Sequence, residues 1–128
     1  MKKNDVFEVE CRVKIVLTKD DIDGIMSSAL DSGINYWCGK AEVDGDYLGE
    51  YASEQIARGG SLILHNMESG EKYWLNKWKF LLGFRLWVEN DGDRYGALNG
   101  RQVNTGYIDG PAADEIIQYA LFGEVVYS

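Results

Sequence analysis

TKDDIDGIMSSALDSGINYWC, residues Thr18 to Cys38, joins a helix start, an amphipathic face, a helix stop and an aromatic strand without interruption. Thr18 is placed to cap a helix with Asp21 three residues on, and Asp20, Asp21 and Asp23 then sit near the positive end of its dipole. That placement accounts for the acids without metal or acid/base chemistry. Ile22, Ile25, Met26, Ala29 and Leu30 fall at the i, i+3, i+4, i+7, i+8 spacing of a one-sided helix. Gly33 then offers a left-handed C′ residue, with Ile34 closing a Schellman-type contact, so the helix is expected to end at about Ser32.

Upstream, every odd position from Phe7 to Leu17 is apolar while Glu8, Glu10, Arg12 and Lys14 alternate between them, the pattern of a long half-buried strand. Downstream, Ile34 to Val43 reads as a second strand, interrupted at Gly39. A turn at Asp44 to Asp46 and a short helix near Tyr51 to Arg58, stopped by Gly59 and Gly60, come next. Ser61 to Met67 and Glu71 to Leu75 flank a Gly-containing loop and predict a hairpin. Asn76 caps a helix to about Asn90, and Asn90 to Gly110 is a long polar loop with a short strand near Gln102 to Ile108. Asp109 or Gly110, with Pro111, opens a last helix that presents Ala112, Ala113, Ile116, Ile117, Ala120 and Leu121 on one face and Asp114, Glu115 and Gln118 on the other. Gly123 ends it, and Glu124 to Tyr127 forms a final strand. The order β-α-β-(short α)-β-β-α-(β)-α-β predicts an α+β domain, a mainly antiparallel sheet covered by about three helices.

The 128 residues suit one domain. A hydrophobic content of 45% argues against wholesale disorder, and neither a membrane-length apolar run nor a leader opens the chain, so a cytoplasmic protein is expected. The formal charge of −8, from 21 acids against 13 bases, disfavours nucleic acid as a partner. Cys11 and Cys38 are too few and too far apart for a metal knuckle or a redox pair, and two buried thiols are expected. On the helix from Asn76, Phe80, Leu81, Phe84, Trp87 and Val88 share one face, while Trp78, Leu82 and Leu86 form a second stripe. One core cannot readily use both, which suggests either a helix sandwiched between layers or a subunit interface, and a homo-oligomer with the second stripe at its interface is expected.

No catalytic constellation emerges. His65 alternates with Ile63 and Met67 and reads as a packed histidine without a nameable acid partner, and no motif surrounds a Cys38 and His65 thiol–imidazole pair. Two DGD turns, with Asp44, Asp46, Asp91 and Asp93, lack calcium-loop spacing, and the glycines of Ala57 to Gly60 read as a helix C-cap. No metal, cofactor or enzyme activity is expected. The aromatics Tyr36, Trp37, Tyr47, Tyr51, Tyr73, Trp74 and Tyr95 exceed what a small core readily buries. Aromatic faces with Arg and Asn nearby suit a stacked base and its phosphate, which makes Tyr36, Trp37, Arg58, Arg85, Asn90 and Arg94 the candidate ligand residues.

GINYWC (Gly33 to Cys38), GDYLGEYASEQIARGGSLILH (Gly45 to His65), KFLLGFRLWVEN (Lys79 to Asn90) and IIQYALFGEVVY (Ile116 to Tyr127) resemble a group of small uncharacterised proteins encoded in genomes, prophages and mobile elements of gut Firmicutes. The resemblance covers nearly the whole chain after about Val13 and brings no catalytic residues with it. It implies an accessory protein of a phage or mobile element, countering host defence being prominent among such roles. On that footing the expected function is a non-enzymatic module that binds a small nucleotide-like ligand. The alternative is an acidic inhibitor or adaptor of a host protein.

Overall fold

A computed structural model describes residues 6–7, 14–91 and 96–128 of the chain. Helix α1 (Lys19–Ser28) starts at Thr18, whose hydroxyl accepts the Asp21 amide at 3.0 Å while the Asp21 carboxylate accepts the Thr18 amide at 2.9 Å. Two orphan donors of the first turn are thereby satisfied reciprocally. The other end departs from expectation. Instead of a left-handed Gly33, the helix widens into a π turn over Ala29–Gly33, with the Ile34 amide bonded to the Ala29 carbonyl at 3.0 Å. Gly33 is needed for proximity: a Cβ there would run into the Gly110 carbonyl at the start of the last helix.

The strand expected from Ile34 begins only at Cys38. The amides of Trp37 and Cys38 both turn back to the Ile34 carbonyl, at 3.0 and 2.8 Å, so residues 34–37 form a turn that happens to alternate in polarity. Strand β1 (Cys38–Asp44) pairs antiparallel with β2 (Ser61–Asn66), and β2 with β3 (Lys72–Leu75). Register sets Ala41 opposite Leu64, Val43 opposite Leu62, Leu62 opposite Leu75 and Leu64 opposite Tyr73, which gives the sheet one apolar face. Glu42, Ile63 and Trp74 form a row on the opposite face. A bulge at Gly39 shifts the register between Cys38 and Lys40, turning the first toward the core and the second to solvent.

Between β1 and β2 the expected helix is a single 3-10 turn, Ala52–Glu54. Buried Gln55 explains why it stops growing: its side chain takes the Leu48 amide and gives to the carbonyls of Leu48 and Tyr51, all at 2.8 to 2.9 Å. Local side-chain bonds have replaced helical ones.

Helix α2 (Lys77–Asp91) is capped by Asn76, which accepts the Lys79 amide at 2.9 Å. It buries Phe80, Phe84 and Trp87, with Leu81 and Val88 at the core edge. Its other stripe faces outward, Trp78 being 75% and Leu82 52% exposed and Leu86 half-buried. A two-residue pairing of β4 (Leu98–Asn99) with β5 (Gln102–Val103) and a 3-10 turn over Thr105–Tyr107 replace the longer strand expected at Gln102 to Ile108. Gly100, at φ 61°, makes that tight reversal possible.

Helix α3 (Gly110–Phe122) has the expected Asp109 cap, Pro111 in its first turn and a left-handed Gly123. It packs against α2, α1, the π turn and β3, so it runs through the centre of the molecule. The strand expected at Glu124 to Tyr127 does not form: among the described residues no strand pairs with it, and the side chain of Gln118 takes the amides of Val126 and Tyr127. Of the strand expected at Phe7 to Leu17, residues 8–13 lie outside the described residues. Phe7 is exposed and residues 14–17 join no sheet, the Val16 amide bonding instead to the Arg101 carbonyl at 2.7 Å. The architecture is nonetheless α+β: three helices and the inner face of a three-stranded antiparallel sheet share one core. No helix among the described residues is long and apolar enough to cross a membrane.

Candidate functional site

Asp114 and Gln118 stand one turn apart on α3, and the amphipathic reading sets both on its solvent side. Both are buried, Asp114 at 7% exposure and Gln118 completely. The reason is tertiary: the turn before β1 and the segment after α3 close over that side of the helix. The Asp114 carboxylate accepts the Tyr36 hydroxyl at 2.6 Å, the Trp37 indole N–H at 2.8 Å and the Gln118 amide nitrogen at 2.9 Å. Burial, and then the Asp114 carboxylate, push the Tyr36 hydroxyl well above the usual phenol range.

Gln118 reads the backbone of the tail. Its Oε1 accepts the amides of Val126 and Tyr127, both at 2.7 Å, while Nε2 lies 3.1 Å from the Tyr127 carbonyl and 3.2 Å from the Tyr36 hydroxyl. With Asp114 this nitrogen has three acceptors for two hydrogens, so at least one bond is shared. The Tyr127 ring stacks on Trp37 at 5.1 Å and meets the Phe122 edge at 5.7 Å, and Tyr73 meets Phe122 edge-on at 4.9 Å. The hydroxyl of Tyr127 accepts from Asn66 Nδ2 at 3.0 Å and lies 3.1 Å from that of Tyr73, which gives its own hydrogen to Glu71 at 2.8 Å. The bond between the two phenols, then burial and Glu71, raises the Tyr73 phenol.

Beside this cluster lies a cleft of about 270 Å³ between Tyr36, Trp37, Asn66, Glu68 and Tyr127. Trp37 is 4% exposed and serves as its floor, while Tyr36, 47% exposed, offers ring surface with its hydroxyl already engaged. Among the described residues no Lys or Arg lines the cleft.

Of the five candidate ligand residues among the described ones, only Tyr36 and Trp37 meet there. Arg58 reaches both oxygens of Asp23 at 3.1 Å, the Glu54 carbonyl at 2.9 Å and the Glu54 carboxylate at 3.4 Å, tying α1 to the 3-10 turn. Arg85 is paired with Glu89 at 2.9 Å on the outer side of α2, and Asn90 bonds back to the Leu86 carbonyl at 2.8 Å. Arg94 lies outside the described residues, as do Asp93, Tyr95 and Cys11.

His65 does have an acid partner. Its Nε2 lies 3.0 Å from Glu42 on the outer face of the sheet, and His65 and then Lys40 hold that carboxyl below its ordinary value. Cys38 is in the core with Sγ 3.2 Å from the Lys40 carbonyl, and burial pushes its thiol up. The two side chains therefore do not form a nucleophile and base. Among the described residues no three His, Cys, Asp or Glu side chains cluster to hold a metal.

The residues that reasoning from sequence missed are Asp114, Gln118, Tyr127 and Asn66. The only signal was their type: a polar i, i+4 pair on an otherwise apolar helix, and an isolated Tyr after its end. No protein-family model, curated protein or solved structure matches the chain.

Proposed function

We propose that this chain is a non-enzymatic binding module that takes a small planar ligand into the cleft beside Tyr36, as an accessory protein acting for a phage or mobile element against host defence. The observation that carries the reading is the cleft itself, walled by Tyr36, Trp37 and Tyr127, whose polar atoms are already engaged by Asp114, Asn66 and Tyr73, so that ring surface is what remains to offer. The buried Cys38 thiol and the outward His65 support a binding role over a catalytic one. The expected nucleotide-like ligand is narrowed by charge. With Glu68 in the lining and Arg58 and Arg85 paired on other elements, a base or nucleoside suits the cleft better than its phosphate ester.

Thermal shift with matched nucleobases, nucleosides and nucleoside 5′-phosphates tests this, because a ligand of the folded state raises Tm by mass action. Bases or nucleosides should raise Tm, their phosphates less, and Tyr36→Ala should abolish the rise. A flat response across all three classes rejects the reading. The second reading, an acidic inhibitor or adaptor of a host protein, draws support from the −8 charge and the exposed Trp78. Pull-down at low salt that recovers nothing would count against it.

A further inference from the structure

Helix α2 carries its charges the wrong way round. A helix dipole favours acids in the first turn and bases in the last, yet α2 has Lys77 and Lys79 at its start, Glu89 and Asp91 at its end, and no acid in the first turn or base in the last. Asn76 supplies the cap, and Lys77, Lys79 and Glu89 have surface partners near by: Lys79 Nζ donates to the Trp74 carbonyl at 2.8 Å, Lys77 lies over the exposed Trp78 ring and Glu89 pairs with Arg85 at 2.9 Å. Helices α1 and α3 each have an acid at or near the start, at Asp20, Asp21 and Asp109. The same helix exposes Trp78 and Leu82, with Leu86 in the next turn, at four-residue spacing along one side. Lys79, Arg85 and Glu89 share that side by the same helical geometry, and the core side, with Phe80, Phe84 and Trp87, is opposite.

We propose that this face of α2 binds the same face of a second copy of the chain, the two helices running antiparallel about a two-fold axis near residue 84. Antiparallel pairing sets the basic start of each helix beside the acidic end of the other, so charges unfavourable to their own dipole become favourable to the neighbour's. With the axis near residue 84, Lys79 lies beside the partner's Glu89 and Leu82 beside the partner's Leu86, while Trp78 covers the partner's last turn. A parallel pair would instead bring lysine to lysine and glutamate to glutamate. The two-fold operation makes every such contact occur twice, which doubles the effect of any one substitution.

Light scattering and sedimentation of the full chain across a concentration series decide the first point, and charge exchange decides the second. The wild-type chain should be a dimer, and Trp78→Ala should be a monomer with unchanged circular dichroism, since the indole is exposed and the fold does not depend on it. Lys79→Glu and Glu89→Lys should each weaken the dimer by about tenfold or more, because two attractive contacts become repulsive. Mixed in equal amounts, the two variants should associate about as well as wild type, since each then meets its complement. A strict monomer at every concentration overturns the proposal, whether residues 1–13 or a foreign protein cover the face. So does a dimer indifferent to Trp78→Ala, or a failure of the mixture to restore association.

Discussion

Asp114 holds three donors from two parts of the chain: Tyr36 and Trp37 in the turn before β1, and Gln118 one turn along its own helix. Asp114→Ala removes the common acceptor and leaves the Trp37 indole N–H in the core without its partner. A loss of about 2–4 kcal/mol is expected, read as a lower urea midpoint at constant slope. The phenols give a pH signature. Tyr36 and Tyr73 both have hydroxyl pKa values raised in the folded chain, so above the ordinary value of about 10 the unfolded chain loses protons that the folded one keeps. The unfolded state then binds fewer protons, and stability, full below that pH, falls as pH rises through it. Denaturation followed from pH 8 to 11 should show this decline, and the Tyr36→Phe, Tyr73→Phe double variant should show a shallower one.

Among the elements, α2 and α3 cross closely because Gly83 has no side chain: a Cβ there would lie 2.6 Å from both the Cβ and the backbone nitrogen of Ala120. Gly83→Ala gains helix propensity of about 1 kcal/mol but must push a helix backbone aside, at a cost of about 1–3 kcal/mol. The clash with backbone prevails, so Tm should fall; a rise would mean that the crossing yields easily. The elements also show where sequence was legible. The Thr18 capping box, the hairpin from Ser61 to Leu75, the Asn76 cap, the Asp109–Pro111 start and the Gly123 stop were all readable, because each is signalled by a short run of neighbouring residues, a cap, a turn or a stop. The turn at residues 34–37 was misread because its alternation matches a strand, although its amides bond to Ile34. Likewise, the 3-10 turn at Ala52–Glu54 was read as a helix because the reach of Gln55 back to Leu48 leaves no periodic trace.

On the scale of the molecule, the segment after Gly123 acts as a clasp. Tyr127 bridges Trp37, Phe122, Tyr73 and Asn66, and Gln118 fastens its backbone, so the last residues close the side of the core that holds Asp114. Tyr127→Ala should cost about 2–4 kcal/mol, less than a fully buried ring would, and should uncover Trp37 to solvent. Near-ultraviolet circular dichroism weakened at Trp37, with far-ultraviolet helix content retained, is the expected outcome. An unchanged Tm would show that the clasp is ornamental to the fold.

Taken alone, the sequence determined the α+β class, the caps of the three helices, the Gly123 stop and the division of α2 into two apolar stripes, since periodicity and capping are properties of neighbours along the chain. The tertiary structure decided which stripe enters the core, that α3 is central, and that its polar pair is sealed beneath Tyr36 and Tyr127. Those outcomes depend on contacts between residues as many as 82 positions apart, as in the bond from Gln118 to Tyr36, and no local pattern encodes what will come to cover a helix face.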